Sequence, residues 1–108
     1  MTNKRVVLSS AGSHEEARKI AQHLVELQLA ACVNIVPGIE SVYRWQGAVE
    51  RAMEVALIAK STAPLFDRLC ACVRALHSYD TPAIVAWPIV AADKPYLDWI
   101  GAETEPLE

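Results

Sequence analysis

The segment from Leu29 to Ser61 constrains the fold most, because it predicts two unusually long β-strands joined by a tight turn at Gln46-Gly47. At about 3.4 Å per residue, a run of about 14 residues on each side of that turn would extend roughly 45 Å. Every strand needs a buried face and a paired or blunted edge, and a chain of 108 residues is too small to cover so long a hairpin. The sequence therefore predicts a hairpin arm that other copies of the chain complete, in an obligate homo-oligomer.

The patterns on both sides of the hairpin predict the remaining elements. A short apolar run at 6–8 indicates a first strand. Ser13 and Glu16 have the spacing of a capping box, in which each side chain bonds the backbone amide of the other, and the apolar spacing after them predicts a helix over 15–28. Further patterns predict a helix over 65–76, a strand over 83–90 and a helix over 94–103. The order predicts an α+β class, a ferredoxin-like βαββαβ sandwich with a long β-hairpin and a C-terminal helix. We expect one domain over 1–108, ordered from about residue 5 to about residue 103.

The outgoing strand of the hairpin shows a period of two, which predicts one apolar face made by Val33, Ile35, Ile39, Tyr43 and Trp45. Pro37-Gly38 interrupts this pattern. Proline cannot donate to a strand ladder and glycine tolerates a bulge, so the pair predicts a bend and an edge position. On the return strand, the continuous apolar run over 55–59 predicts a strand that is buried on both faces.

Composition excludes several classes of function. The chain is 53% hydrophobic and 21% charged, which favours a packed core over disorder. The net charge is −3 and no basic block occurs, so we expect no nucleic-acid partner. No apolar segment is long enough to cross a membrane or to form the core of a signal peptide. Three cysteines, an odd number, fit reduced thiols, and we expect a cytoplasmic location.

Few residues are candidates for chemistry. His77 ends the predicted second helix, where the helix dipole alone explains a histidine and ligand binding is the alternative. Lys60 lies at the end of the buried strand, where it either binds an anion together with helix amides or simply extends its ammonium group to solvent. No Ser-His-Asp or Cys-His arrangement and no glycine-rich phosphate loop is visible, so we do not expect an enzyme.

Four blocks together resemble the CutA divalent-cation tolerance proteins: LAACVNIVPGIESVYRWQGAVE, LIAKS, LHSYDTPAIVAWPIV and the closing YLDWI. The resemblance runs from about residue 6 to about residue 100. It implies a cytoplasmic homotrimer of ferredoxin-like subunits, built like the PII signalling proteins, with hairpins that interlock around the three-fold axis. It also implies a link to the tolerance of divalent metals, copper in particular.

Copper ligands proposed in that family are a cysteine near the end of the first strand and one or two histidines before a Pro-Tyr step. Those positions correspond here to Ser9, Leu76 and His77. Hydroxyl is a poor ligand for a soft metal and leucine is none, so the resemblance implies at most weak binding of Cu(II) or another divalent cation at His77. We further expect Ser9 and His77 at opposite ends of one subunit, so that a shared site needs a neighbouring chain.

Two functions follow as hypotheses. In the first, the trimer binds divalent metal weakly through His77. In the second, it is a PII-like module for small molecules or partners, and its inter-subunit clefts, lined by Tyr43, Lys60, His77 and Tyr79, hold a small anionic ligand.

Overall fold

The computed structural model describes residues 2–105 and contains one four-stranded antiparallel sheet packed against helices. In chain order its elements are β1 (Lys4–Ala11), α1 (His14–Glu26), β2 (Cys32–Trp45), β3 (Ala48–Thr62), α2 (Phe66–Leu76), β4 (Ile84–Pro88) and α3 (Lys94–Glu103). A single 3₁₀ turn, Ala63–Leu65, leads into α2. The strand order β2-β3-β1-β4 is that of the ferredoxin-like sandwich, which confirms the predicted α+β class.

Helix α1 begins where the capping pattern placed it. The hydroxyl of Ser13 accepts a hydrogen bond from the amide of Glu16 at 3.1 Å, which satisfies one of the free amides of the first turn. The other half of the predicted capping box, a bond from the Glu16 carboxylate back to the amide of Ser13, is wrong. The Glu16 carboxylate instead accepts a bond from the hydroxyl of Ser78, 62 residues along the chain. The first turn of α1 is thereby tied to the segment that follows α2.

The core lies between the helices and one face of the sheet. Leu57 and Ala59 of β3 pack there with Ile20 and Leu24 of α1 and Val73 of α2. Burial along β3 alternates, so that Val55, Leu57 and Ala59 are buried and the residues between them are only partly covered. The prediction that this run is buried on both faces is therefore wrong for the single chain. Right-handed crossovers bring α1 and α2 to the same side. The other side of the sheet is called the helix-free face because neither α1 nor α2 covers it; α3 packs only near its Lys4 end.

The hairpin matches its prediction in length and turn. Strands β2 and β3 contain 14 and 15 residues, and the molecule extends 43 Å along its longest axis. Gln46 and Gly47 have φ values of 48° and 82°. Two positive φ values in a two-residue loop are what the right-handed twist of a hairpin favours.

A β-bulge at Pro37-Gly38 changes which way β2 faces. The register passes from Val36 opposite Ala56 to Ile39 opposite Glu54, so the two residues Pro37 and Gly38 of β2 stand against one residue, Val55, of β3. The predicted bend and edge position are confirmed. The prediction of one continuous apolar face is wrong, because the extra residue reverses the alternation. Odd-numbered residues of β2 face the helices before the bulge and the helix-free side after it; the first group includes Val33 and Ile35, the second Ile39, Ser41, Tyr43 and Trp45.

The start of α1 and the end of α2 lie at the same end of the sheet, where a ring nitrogen of His77 contacts the carbonyl oxygen of Ser10 at 2.6 Å. Our expectation that these points lie at opposite ends is wrong. The two strands of the hairpin return the chain to the end at which α1 finished, so α2 runs antiparallel to α1 and finishes beside its start. The end of β1, the start of α1 and the end of α2 thus form one junction.

Candidate functional site

His77 lies at the centre of this junction, directly after α2. Its side chain is fully buried, at 0% exposure. Nδ1 accepts a hydrogen bond from the backbone amide of Tyr79 at 3.0 Å. Since an amide can only donate, the ring hydrogen sits on Nε2, which donates to the carbonyl of Ser10. The Glu16 carboxylate lies 3.3 Å from Nδ1. Both nitrogens of His77 therefore have protein partners.

The residues expected to bind copper do not fit a strong site in one chain. A metal ion needs a nitrogen lone pair of His77, and Nδ1, which carries it, is already bonded to Tyr79. Ser9 is buried on the helix-covered side, where its hydroxyl has no hydrogen-bond partner among residues 2–105, and the side chain of Leu76 has no atom that can bind a metal. Within residues 2–105, no cluster of three or more His, Cys, Asp or Glu side chains is placed to hold a metal. His77 as a weak metal ligand stays a prediction.

A groove of about 510 Å³ lies next to this junction, between the hairpin and the loop after α2. Its walls come from β1, both hairpin strands and the segment that precedes β4. The lining residues are Ser10, Ser41, Tyr43, Trp45, Glu54, Tyr79, Thr81 and Ala83. Ser41, Tyr43 and Trp45 reach it only because the bulge turns them to the helix-free face.

The Glu54 carboxylate is fixed in the groove by two hydroxyl groups. The phenol of Tyr79 donates to Oε2 at 2.9 Å, and the hydroxyl of Ser10 lies 3.3 Å from the same oxygen. Partial burial, and after it the bond to Glu54, raise the pKa of Tyr79 to about 12. The phenol of Tyr79 therefore keeps its proton at neutral pH and donates it in the hydrogen bond that holds Glu54 in place.

The structure brings together two of the predicted cleft residues and separates a third. Tyr43 and Tyr79 both line the groove. Lys60 lies six residues beyond Glu54 on β3, about 20 Å away at the rise of a strand, and it donates to the side chain of Asn34. The side chain of Lys60 also points away from the helices. Its neighbours on β3, Ala59 and Ser61, are the buried ones, and successive residues of a strand face opposite sides. Glu54 was not predicted at all.

Comparison with known proteins places the chain in a family. The family model of the CutA1 divalent ion tolerance protein matches residues 5–103. The chain belongs to the CutA1 family. The divalent-cation tolerance protein CutA of Thermus thermophilus is 50% identical over 94% of this chain and 98% of its own length. The solved structure of the Thermus thermophilus Cut A1 protein has a TM-score of 0.93 and 50% identity, and the match covers 94% of this chain and 99% of that one.

Other CutA relatives differ in length and in the compartment that their names give. The chloroplastic protein CutA of Arabidopsis thaliana is 43% identical over 92% of this chain, which covers only 54% of the plant protein. A structure described as the periplasmic CutA of Archaeoglobus fulgidus has a TM-score of 0.91 at 44% identity, covering 94% of this chain and 99% of that one. No helix within residues 2–105 of this CutA1-family chain is long and apolar enough to cross a membrane. Membership of the family supports a role in metal tolerance.

Proposed function

We propose that this protein serves in the tolerance of divalent metal ions, copper among them. It acts as a cytoplasmic homotrimer, and it is a binding protein, not an enzyme. The observation that carries the proposal is the family match over residues 5–103, together with 50% identity to a relative named for divalent-cation tolerance.

Exposed apolar side chains support the assembly. Val85 and Trp87 of β4 are each 49% exposed on the helix-free face, and Val49 and Met53 of the hairpin are each 64% exposed. Val49 and Met53 lie on the opposite face of the sheet from Val85 and Trp87. Large apolar side chains exposed on both faces are typical of a chain that packs against other chains. The number of copies, three, comes from the family resemblance.

The proposal assigns no tight copper site to a single chain. Weak binding at His77 would require the ring to give up its bond to the Tyr79 amide or to the Ser10 carbonyl. We therefore expect His77 to contribute little to metal affinity while the junction is intact. Metal tolerance would then depend on the assembled protein more than on one coordinating side chain.

The test is complementation in a bacterial strain whose own CutA-family gene has been deleted. Growth is measured in rising concentrations of Cu(II) and Zn(II), with and without a plasmid that carries this chain, and expression is checked by immunoblot. We expect the plasmid to restore tolerance. A well-expressed protein that restores none would refute the proposed role.

The assembly is tested separately by native mass spectrometry. We expect a trimer for the wild type and smaller species for Val85→Asp, because that change places a charge on the apolar helix-free face. Val25→Asp is the matched control: Val25 is 43% exposed on α1, outside the proposed interface, so this variant should remain trimeric. A monomeric wild type would refute the homotrimer.

Small-molecule binding is a second candidate function, and the groove beside Tyr79 favours it. Its volume lies within the range of about 300–1,000 Å³ that is usual for ligand sites. The small anionic ligand predicted from Lys60 would have to bind outside this groove, since Lys60 does not line it.

A further inference from the structure

The groove carries a single charge, and that charge is negative. Among its eight lining residues Glu54 is the only ionisable side chain apart from the two tyrosines, and none is Lys, Arg or His. The hydroxyls of Tyr79 and Ser10 both reach Oε2, and within residues 2–105 no hydrogen bond reaches Oε1. Charge complementarity therefore favours a cation in the groove and opposes an anion.

The chemistry of the walls distinguishes between kinds of cation. A divalent metal ion needs several oxygen, nitrogen or sulfur ligands to replace its water, and the groove offers one carboxylate and a few hydroxyls. Its other walls are the rings of Tyr43, Trp45 and Tyr79. Aromatic rings attract organic cations, which are only weakly hydrated, over distances up to about 6 Å. The volume also exceeds what a bare ion fills.

We infer that this groove binds a small organic cation, a quaternary or primary ammonium compound, with its charged group against Glu54 and among the rings of Tyr43 and Trp45. The inference rests on the second candidate function, small-molecule binding, and not on the role in metal tolerance. Tyr79 and Ser10 are positioning residues, because both bond Oε2 and leave Oε1 without a hydrogen bond among residues 2–105. The rings share the side of Glu54 because Tyr43 pairs with Glu50 and Trp45 with Ala48, which alternate along β3 with Glu54 on the same face.

Isothermal titration calorimetry tests the inference with two probes of the same shape. Choline carries a quaternary ammonium group, and 3,3-dimethylbutan-1-ol replaces its nitrogen with carbon. We expect choline to bind and the neutral alcohol to bind at least about tenfold more weakly, because it lacks the attraction to the carboxylate and the rings. Equal affinities, or no binding of choline, would overturn the inference.

Two pairs of variants locate the binding. Glu54→Gln should weaken choline binding about tenfold or more, whereas Glu40→Gln, the same change on an exposed residue on the other side of the hairpin, should leave it unchanged. Tyr43→Leu removes a ring and should weaken binding, whereas Tyr43→Phe keeps the ring and should retain it. Each variant is first shown to unfold cooperatively and to have the wild-type mass. Choline binding that survives both Glu54→Gln and Tyr43→Leu would place the cation elsewhere and overturn the inference.

The result for choline binding can be distinguished from the result of the complementation assay for metal tolerance. Glu54→Gln should retain copper tolerance in the complementation assay while losing choline binding. A groove filled by a side chain of a second copy, seen in a crystal structure of the assembly, would exclude choline and equally overturn the inference.

Discussion

Replacing His77 with alanine should destabilise the protein substantially even when no metal is present. The pairing of β4 with β1 ends at Ser9, and His77 Nε2 bonds the carbonyl of the next residue, Ser10. The other ring nitrogen satisfies the amide of Tyr79. Alanine leaves both backbone groups without a partner, and each unsatisfied group costs about 1–3 kcal/mol. The loop is partly open to water, which places the two losses near the lower end, and the lost packing of a fully buried ring adds to them. We expect a loss of about 3 kcal/mol in the free energy of unfolding.

The assay is unfolding in guanidinium chloride, followed by circular dichroism in EDTA-containing buffer at fixed protein concentration, since the stability of an oligomer depends on concentration. His23→Ala is the matched control. His23 is half-buried on α1, and within residues 2–105 its one hydrogen bond is to the carbonyl of Lys19, so its loss should change stability by less than about 1 kcal/mol. If His77→Ala is as stable as His23→Ala without metal, the structural role assigned to His77 is wrong.

Two further changes test the site and the fold. The pKa of Tyr79 is raised from 10.0 to about 12, so the folded protein keeps a proton that the unfolded chain has lost over this interval, and stability from this group is complete below pH 10 and falls between pH 10 and 12. Tyr79→Phe should therefore show a flatter dependence of its unfolding midpoint on pH across this range, and identical slopes would contradict the assignment. Ser13→Ala removes the cap of α1 and should lower the free energy of unfolding by about 1 kcal/mol, measured in guanidinium chloride, with Ser13→Asp retaining most of it.

Elements determined by neighbouring residues were predictable from the sequence. The cap at Ser13, the turn at Gln46-Gly47 and the final helix over Lys94–Glu103 all follow from local spacing and turn chemistry. The family resemblance was visible in the same way, since its blocks are contiguous stretches.

Contacts between distant segments were not predictable in this way. Glu16 has the position of a capping-box carboxylate, and only the folded chain brings Ser78 close enough to compete for it. Glu54 resembles the other charged residues that alternate along the hairpin, and nothing in its neighbourhood distinguishes it. The sequence does hold one signal for the site, because the bulge that Pro37-Gly38 predicts adds a residue to β2 and so places Tyr43 and Trp45 on the side of Glu54.

The bulge divides one strand between two kinds of evolutionary constraint. Before Pro37-Gly38, alternate residues of β2 must fit the core of the chain, and after it, alternate residues must fit whatever occupies the groove. Loss of one residue there would remove the bulge but keep Val36 opposite Ala56 and Ile39 opposite Glu54, so neither half of β2 would turn over. The two halves can therefore change separately: a substitution before the bulge alters the core, and a substitution after it alters the groove.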